Sequence, residues 1–250
     1  MKAQSLMLLA ALSGFAHAEK QTVVIASDDA YPPYSSVDAN KAAKGHYVDL
    51  IRAVSDAMPN FSIAIKPLPW KRALKEAEDG EVAGVFPPYI KTDSRPWMAY
   101  SAPLLTEAIV AVCNSKKAPK YRGAKWPEGF EGASFGNNLG FLTAGPAFFA
   151  MAKAGKLKYE EAPTTEQNLR KLIADRIDCY VNDRRAIAYD AAKSNLDGKQ
   201  IVETAVVAKE VGYIGYNAKI GKLSYQDAFI NEFNATLQKL RAEKKIPPLD

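Results

Sequence analysis

Residues 21–86 read as strand, helix, strand, helix, strand, and this alternation constrains the chain more than any other feature of it. Gln21-Thr22-Val23-Val24-Ile25-Ala26 is a short β-branched run of the kind that makes a buried strand. Residues 47–58 carry Val48, Ile51, Val54 and Met58 at helical spacing and stop before Pro59. Residues 61–66 alternate apolar and polar, as a strand does. Pro67-Leu68-Pro69-Trp70 leads into a helix over 71–79, which Gly80 closes. Residues 81–86 form the third strand, and Pro87-Pro88 ends it because proline lacks an N–H and fixes φ. Such an order builds an open α/β sheet, whose ligands sit on the loops at the carboxyl ends of the strands. Asp28, Tyr31, Trp70, Pro88 and Arg95 fall on those loops or on the helix starts after them.

Arg95 is the most informative of these positions. It lies in Tyr89-Ile90-Lys91-Thr92-Asp93-Ser94-Arg95, a polar loop between the third strand and a second apolar run at 108–113. A guanidinium held on such a loop presents a planar fork of donors suited to a carboxylate. The first loop, residues 27–34, places Tyr31 and Tyr34 around Pro32-Pro33, which predicts a stiff turn with amphipathic rings. Residues 41–45 are a second turn.

A second α/β unit follows. Strands are predicted at 108–113, 133–135, 158–161 and 177–181, the second running into the turn Gly136-Asn137-Asn138-Leu139-Gly140. Helices are predicted at 145–153, after Thr164 or Thr165 as N-cap, and at 186–193. Two more strands, 201–207 and 212–216, precede a C-terminal helix from Ser224. Its buried stripe is Phe229, Phe233, Leu237 and Leu240. The pattern alone assigns the last strand and helix to neither unit.

The N-terminus reads as an address. Lys2, an apolar core at 6–15 and Ala16-His17-Ala18 have the form of a cleavable signal peptide, with cleavage after Ala18. Residues 1–18 are therefore expected to be removed, leaving an exported, periplasmic chain with no membrane span of its own. Loss of Lys2 lowers the net charge from +5 to +4, too mild a balance to imply a nucleic-acid partner. Apolar residues make up 48% of the chain, enough for globular cores, and the length suits two lobes. Cys113 and Cys179 both lie in strand segments, where a disulfide and a pair of buried free thiols fit equally. Two cysteines and His46 have no metal-ligand spacing, so no metal or cofactor is expected.

Taken together, these residues resemble the family 3 periplasmic solute-binding proteins, which include the polar amino-acid receptors of ABC transporters. Asp28, Tyr31, Pro33 and Tyr34 match the family's first ligand loop, and Gly45 before Val48-Asp49-Leu50 matches its glycine-to-helix turn. Thr92 and Arg95 match its threonine-and-arginine loop, followed by Tyr100-Ser101-Ala102-Pro103. Gly132, Gly136 and Gly140 match the second-lobe turn, and Ile177-Asp178 with Asp183 match the strand and acidic loop opposite. The resemblance implies an α/β, two-lobed periplasmic binding protein (type II) clam-shell with a discontinuous first lobe. Lobe one would hold 19–106 plus 211–250, and lobe two 107–210. It also implies that Arg95 takes a ligand carboxylate, Asp183 takes the ligand ammonium, and Tyr31 and Tyr34 cover the side chain. Trp70, Pro88, Ile90, Asn138 and Leu142 complete the expected binding set.

The sequence also departs from the family pattern. Pro87, Pro88 and Ile90 stand where small hydroxyl residues usually precede the arginine loop. Phe141 and Leu142 follow Gly140 where a hydroxyl is usual, with Thr143 later, and Ala83 replaces an acid. These changes point to a more apolar, aromatic-friendly cleft. The expected function is a non-enzymatic, monomeric receptor that delivers a small polar carboxylate-bearing solute, an amino acid or related compound, to an ABC transporter membrane permease. The alternative is a periplasmic dehydratase-type enzyme acting on a small ring acid, for which Glu107 and Asp183 are the acid–base candidates. A sensor domain would need a membrane span and an output domain, and a cell-wall lytic relative would need a further catalytic domain. The sequence presents neither.

Overall fold

A computed structural model describes residues 19–218 and 224–249; the signal peptide expected at 1–18 lies outside the described residues. The first unit opens with β1 (Gln21–Asp28), then three short strands, β2 (Ala30–Tyr31), β3 (Ser35–Val37) and β4 (Ala43–Lys44). Next come α1 (His46–Ala57), β5 (Phe61–Leu68), α2 (Trp70–Glu78), β6 (Gly84–Phe86) and β7 (Met98–Tyr100). The second unit holds β8 (Leu105–Asn114), α3 (Ala118–Tyr121), β9 (Ser134–Asn138), α4 (Pro146–Lys153), β10 (Lys158–Ala162) and α5 (Thr165–Ile173). It continues through β11 (Cys179–Asp183), α6 (Arg184–Lys193) and β12 (Ile201–Gly212). The chain then returns to the first unit with β13 (Gly215–Asn217) and α7 (Gln226–Ala242).

Two five-stranded sheets result, ordered β5-β1-β6-β13-β7 and β10-β9-β11-β8-β12. In the first, β1 runs parallel to both β5 and β6. Val23 and Ile25 pack on one face against Val48, Ile51 and Val54 of α1 and Phe229, Phe233 and Leu237 of α7. Ala26 and Val85 pack on the other face against Ala73 and Ala77 of α2. The apolar stripe of the last helix thus needs the first sheet as its partner, which assigns α7 to lobe one. Each large side chain so buried contributes roughly 1.5–3 kcal/mol of transfer free energy.

The second sheet is covered on both faces by the period-two alternation of β8. Ile109, Ala111 and Cys113 meet Phe130, Phe135 and Phe148 on one side. Val110 and Val112 meet Leu169, Leu172, Tyr180 and Ile187 on the other. Cys113 and Cys179 are register partners on β8 and β11 and form a disulfide.

Three local expectations are corrected. The first loop is not a plain turn: Ala30 and Tyr31 pair with Ser36 and Ser35, and β3 pairs with β4, to make a small antiparallel sheet. The chain reverses at Pro32-Pro33, and the Ser35 hydroxyl donates to the Asp28 carbonyl at 2.6 Å to hold the reversal. Residues 201–212 form one strand rather than a strand and a loop, because two register shifts let it keep pairing with β8 to Gly212. Residues 98–100, where no strand is predicted, form an edge strand paired with β13. The division points expected at 106/107 and 210/211 fall within the paired strands β8 and β12.

Candidate functional site

The register of the first sheet brings the ligand loops together. Ser27 of β1 sits beside both Pro67 of β5 and Phe86 of β6. The segments that follow these strands therefore emerge at one edge, carrying Asp28, Pro69-Trp70 and Pro87-Pro88. There they line a cleft with Tyr31, Tyr89, Lys91 and Arg95. Lobe two closes it with Phe141, Leu142 and Thr143. The space between these residues is about 370 Å³ when the open solvent at its mouth is counted in.

Arg95 is 7% exposed, and its guanidinium carbon lies 5.5 Å from the centre of the Trp70 ring. That approach is a cation–π contact. Its backbone N–H donates to the Lys91 carbonyl at 2.9 Å, which closes the loop. Burial pushes the guanidinium pKa down, Tyr100 opposes the shift, and no carboxylate among the described residues pairs with it. Lys91, by contrast, is committed: its Nζ pairs with Glu210 of β12 at 2.6 Å. Thr143 is 4% exposed, and its Oγ1 has no hydrogen-bond partner among the described residues. Asp28 accepts the Ala30 N–H at 2.9 Å, and burial pushes its carboxyl up to about 7.

The walls are aromatic. Phe141, from lobe two, sets its ring edge-on to Tyr31 at 5.5 Å and to Trp70 at 6.1 Å between centres. Tyr31 and Tyr89 show the cleft their rings rather than their hydroxyls. Both hydroxyls donate to Glu107 at the start of β8, that of Tyr89 at 2.5 Å. Tyr47 donates to the other Glu107 oxygen, so three phenols surround this buried carboxylate. Burial, then the charge of Asp183, pushes Glu107 up to about 7. Two glycines permit this cage. Gly45 has φ 122, and a Cβ there would stand 2.5 Å from the Tyr34 carbonyl oxygen. A Cβ on Gly212 would stand 2.1 Å from the Tyr47 hydroxyl.

Of the residues expected from sequence, the cleft brings together Asp28, Tyr31, Trp70, Pro88, Arg95 and Leu142. Four lie elsewhere. Ile90 is 48% exposed. Asn138 is buried in lobe two, where Asn168 and Tyr180 donate to its Oδ1 and Thr165 accepts from its Nδ2. Tyr34 stacks behind Tyr31, 5.2 Å between ring centres, and lines a separate recess with Asp183, Arg184 and Arg185. Asp183 is 1% exposed and caps α6: one oxygen accepts from Arg185 and Ala186, the other from Ala108. Tyr89 and Lys91 of the cleft were not singled out by the sequence. Their place on the arginine loop was the available signal.

The sequence profile of the bacterial extracellular solute-binding proteins, family 3, matches residues 23–249. No curated protein sequence matches the chain significantly. Among solved structures, a histidine kinase sensor domain with similarity to periplasmic binding proteins superposes with a TM-score of 0.77 at 19% identity, covering 90% of this chain and 92% of that one. An ancestral arginine-binding protein bound to arginine gives 0.71 at 16%, with 90% and 94% covered. The ancestral amino-acid-binding protein AncCDT-1, a precursor of cyclohexadienyl dehydratase, gives 0.69 at 19%, with 89% and 90% covered. At these identities the likeness speaks for the fold.

Proposed function

The chain belongs to the bacterial extracellular solute-binding proteins, family 3, and from that premise we propose that it is a non-enzymatic receptor for a small carboxylate-bearing solute. The solute lies in the interlobe cleft, and the closed receptor hands it to an ABC-type membrane permease. A periplasmic location belongs to the same reading and is supported by the sequence of residues 1–18.

The observation that carries the proposal is Arg95. A guanidinium buried in a cleft with no acidic partner among the described residues is costly unless an anion joins it. A carboxylate offers the planar, bidentate match, and Thr143 adds a hydroxyl donor from the opposite lobe. A solute held by both would draw the lobes together, which couples binding to closure. The test is calorimetry with a panel of small carboxylates. Arg95→Ala is expected to weaken binding by about 30-fold or more, because a desolvated charge loses its partner. Undiminished affinity in that variant overturns the reading.

A second reading has one observation in its favour. Asp28 lines the cleft with a carboxyl pushed up to about 7, the range in which a side chain gives and takes protons near neutrality. A dehydratase-type reaction on a ring acid would use it. Incubation with ring acids and detection of a dehydrated product separates the two readings.

A further inference from the structure

We propose that the solute is a carboxylate on a flat, apolar body, an aromatic acid or its like, with no α-ammonium group. The proposal rests on the receptor reading above and narrows it. An α-ammonium carries three N–H donors and needs acceptors placed around it. The cleft supplies almost none. Asp183 lies outside the cleft lining, and both its oxygens are held by backbone N–H groups. Pro87 and Pro88 bring no side-chain oxygen, and the Pro88 carbonyl already accepts the Tyr213 N–H at 3.1 Å. The Tyr31 and Tyr89 hydroxyls are turned to Glu107. Asp28 is the one acid on the lining, already accepts from Ala30, and its burial favours the neutral carboxyl, which donates as well as accepts.

What the cleft does offer fits an acid with a ring. The Arg95 guanidinium and the unpartnered Thr143 Oγ1 are both donors suited to a carboxylate. Trp70, Tyr31, Tyr89, Phe141 and the proline pair present apolar faces beside them. Phe141 lies edge-on to both Tyr31 and Trp70, so the first-lobe wall already accommodates a flat ring brought in from outside that lobe.

The experiment uses matched compounds on the purified mature protein, read by calorimetry. Benzoate, phenylacetate and 3-phenylpropanoate supply the proposed class. Phenylglycine and phenylalanine add the ammonium to two of these acids, and phenethylamine keeps the ammonium without the carboxylate. The expected result is binding of a ring acid, with its amino counterpart weaker by about tenfold or more. Arg95→Ala should abolish that binding, and Arg95→Lys, which keeps the charge, should recover part of it if the loss is not one of folding. Phenylalanine bound as tightly as 3-phenylpropanoate, with Arg95 required, overturns the class and leaves the receptor reading standing. Binding confined to aliphatic acids does the same. Phenethylamine bound equally by the native protein and Arg95→Ala overturns both.

Discussion

Glu107→Gln should make the protein more stable at alkaline pH and flatten its response to pH. Glu107 is buried, and its folded pKa is raised from 4.5 to about 7, first by burial and then by Asp183. A carboxyl raised in this way binds its proton more tightly folded than unfolded. Its favourable contribution is therefore complete below pH 4.5 and is lost as pH rises through about 7. The whole span corresponds to about 3 kcal/mol, of which about 2 kcal/mol falls between pH 5.5 and pH 8. Glutamine resembles the protonated acid. Its Oε1 can accept from Tyr31 and Tyr89 while its amide donates to Tyr47, whose hydroxyl also lies 3.5 Å from the Leu105 carbonyl. Urea unfolding of both proteins at pH 5.5 and pH 8 gives the double difference. That difference removes Asp28 and Asp190, whose pKa values are also raised and which tilt the native curve the same way. Glu107→Gln should match the native protein at pH 5.5 and exceed it by about 2 kcal/mol at pH 8. Parallel pH dependences, or a variant weaker at pH 8, would refute the account of the cage.

Trp70 belongs to both the cleft wall and a buried cluster with Ala26, Leu68 and Ala73, so Trp70→Ala should lower affinity and also cost about 3–5 kcal/mol in denaturant titration. Full affinity would remove the ring from the site. Phe141→Ala deletes two interlobe ring contacts worth about 0.5–1.5 kcal/mol each beyond area burial. Small-angle scattering of the variant should show a larger radius of gyration than the native protein; equal radii would mean these rings do not hold the lobes. The Cys113–Cys179 bridge spans 66 residues, and Cys113→Ser with Cys179→Ser should cost about 4 kcal/mol by chain entropy, read as a lower urea midpoint.

The sheet architecture was legible because its determinants are local: β-branched runs, helical spacing in α1 and α7, and glycines and prolines at the ends. The Arg95 loop was legible for the same reason, since Pro87-Pro88 and the polar run mark its limits. The site was less so, because whether a side chain faces the cleft depends on what its polar atoms bind instead. Asp183 stands one residue before a helix and has the residue type of an N-cap, so its commitment to Arg185 and Ala186 had a sequence signal. The resemblance gave it another role. Asn138 is drawn inward by Asn168, Tyr180 and Thr165, partners spread over residues 165–180, which no local pattern reveals. Glu107 stands in the sequence only as an acid–base candidate, and nothing local to it names its partners. Its three tyrosines come from positions 31, 47 and 89, united only by the tertiary fold.

Leu105 and Gly212 are register partners at one end of the β8–β12 ribbon. Everything between them, the whole of the second sheet with its helices, therefore leaves and rejoins the first lobe at neighbouring points, about 5 Å apart in an antiparallel pair. In the grammar of the chain, lobe two is a parenthesis. A short hairpin could close over the excision without stretching β7 or β13, and a foreign module whose ends lie equally close could be written in its place. Half of the cleft can in this way be exchanged by recombination at two codon positions while Arg95, Trp70 and the sheet that carries them keep their connections.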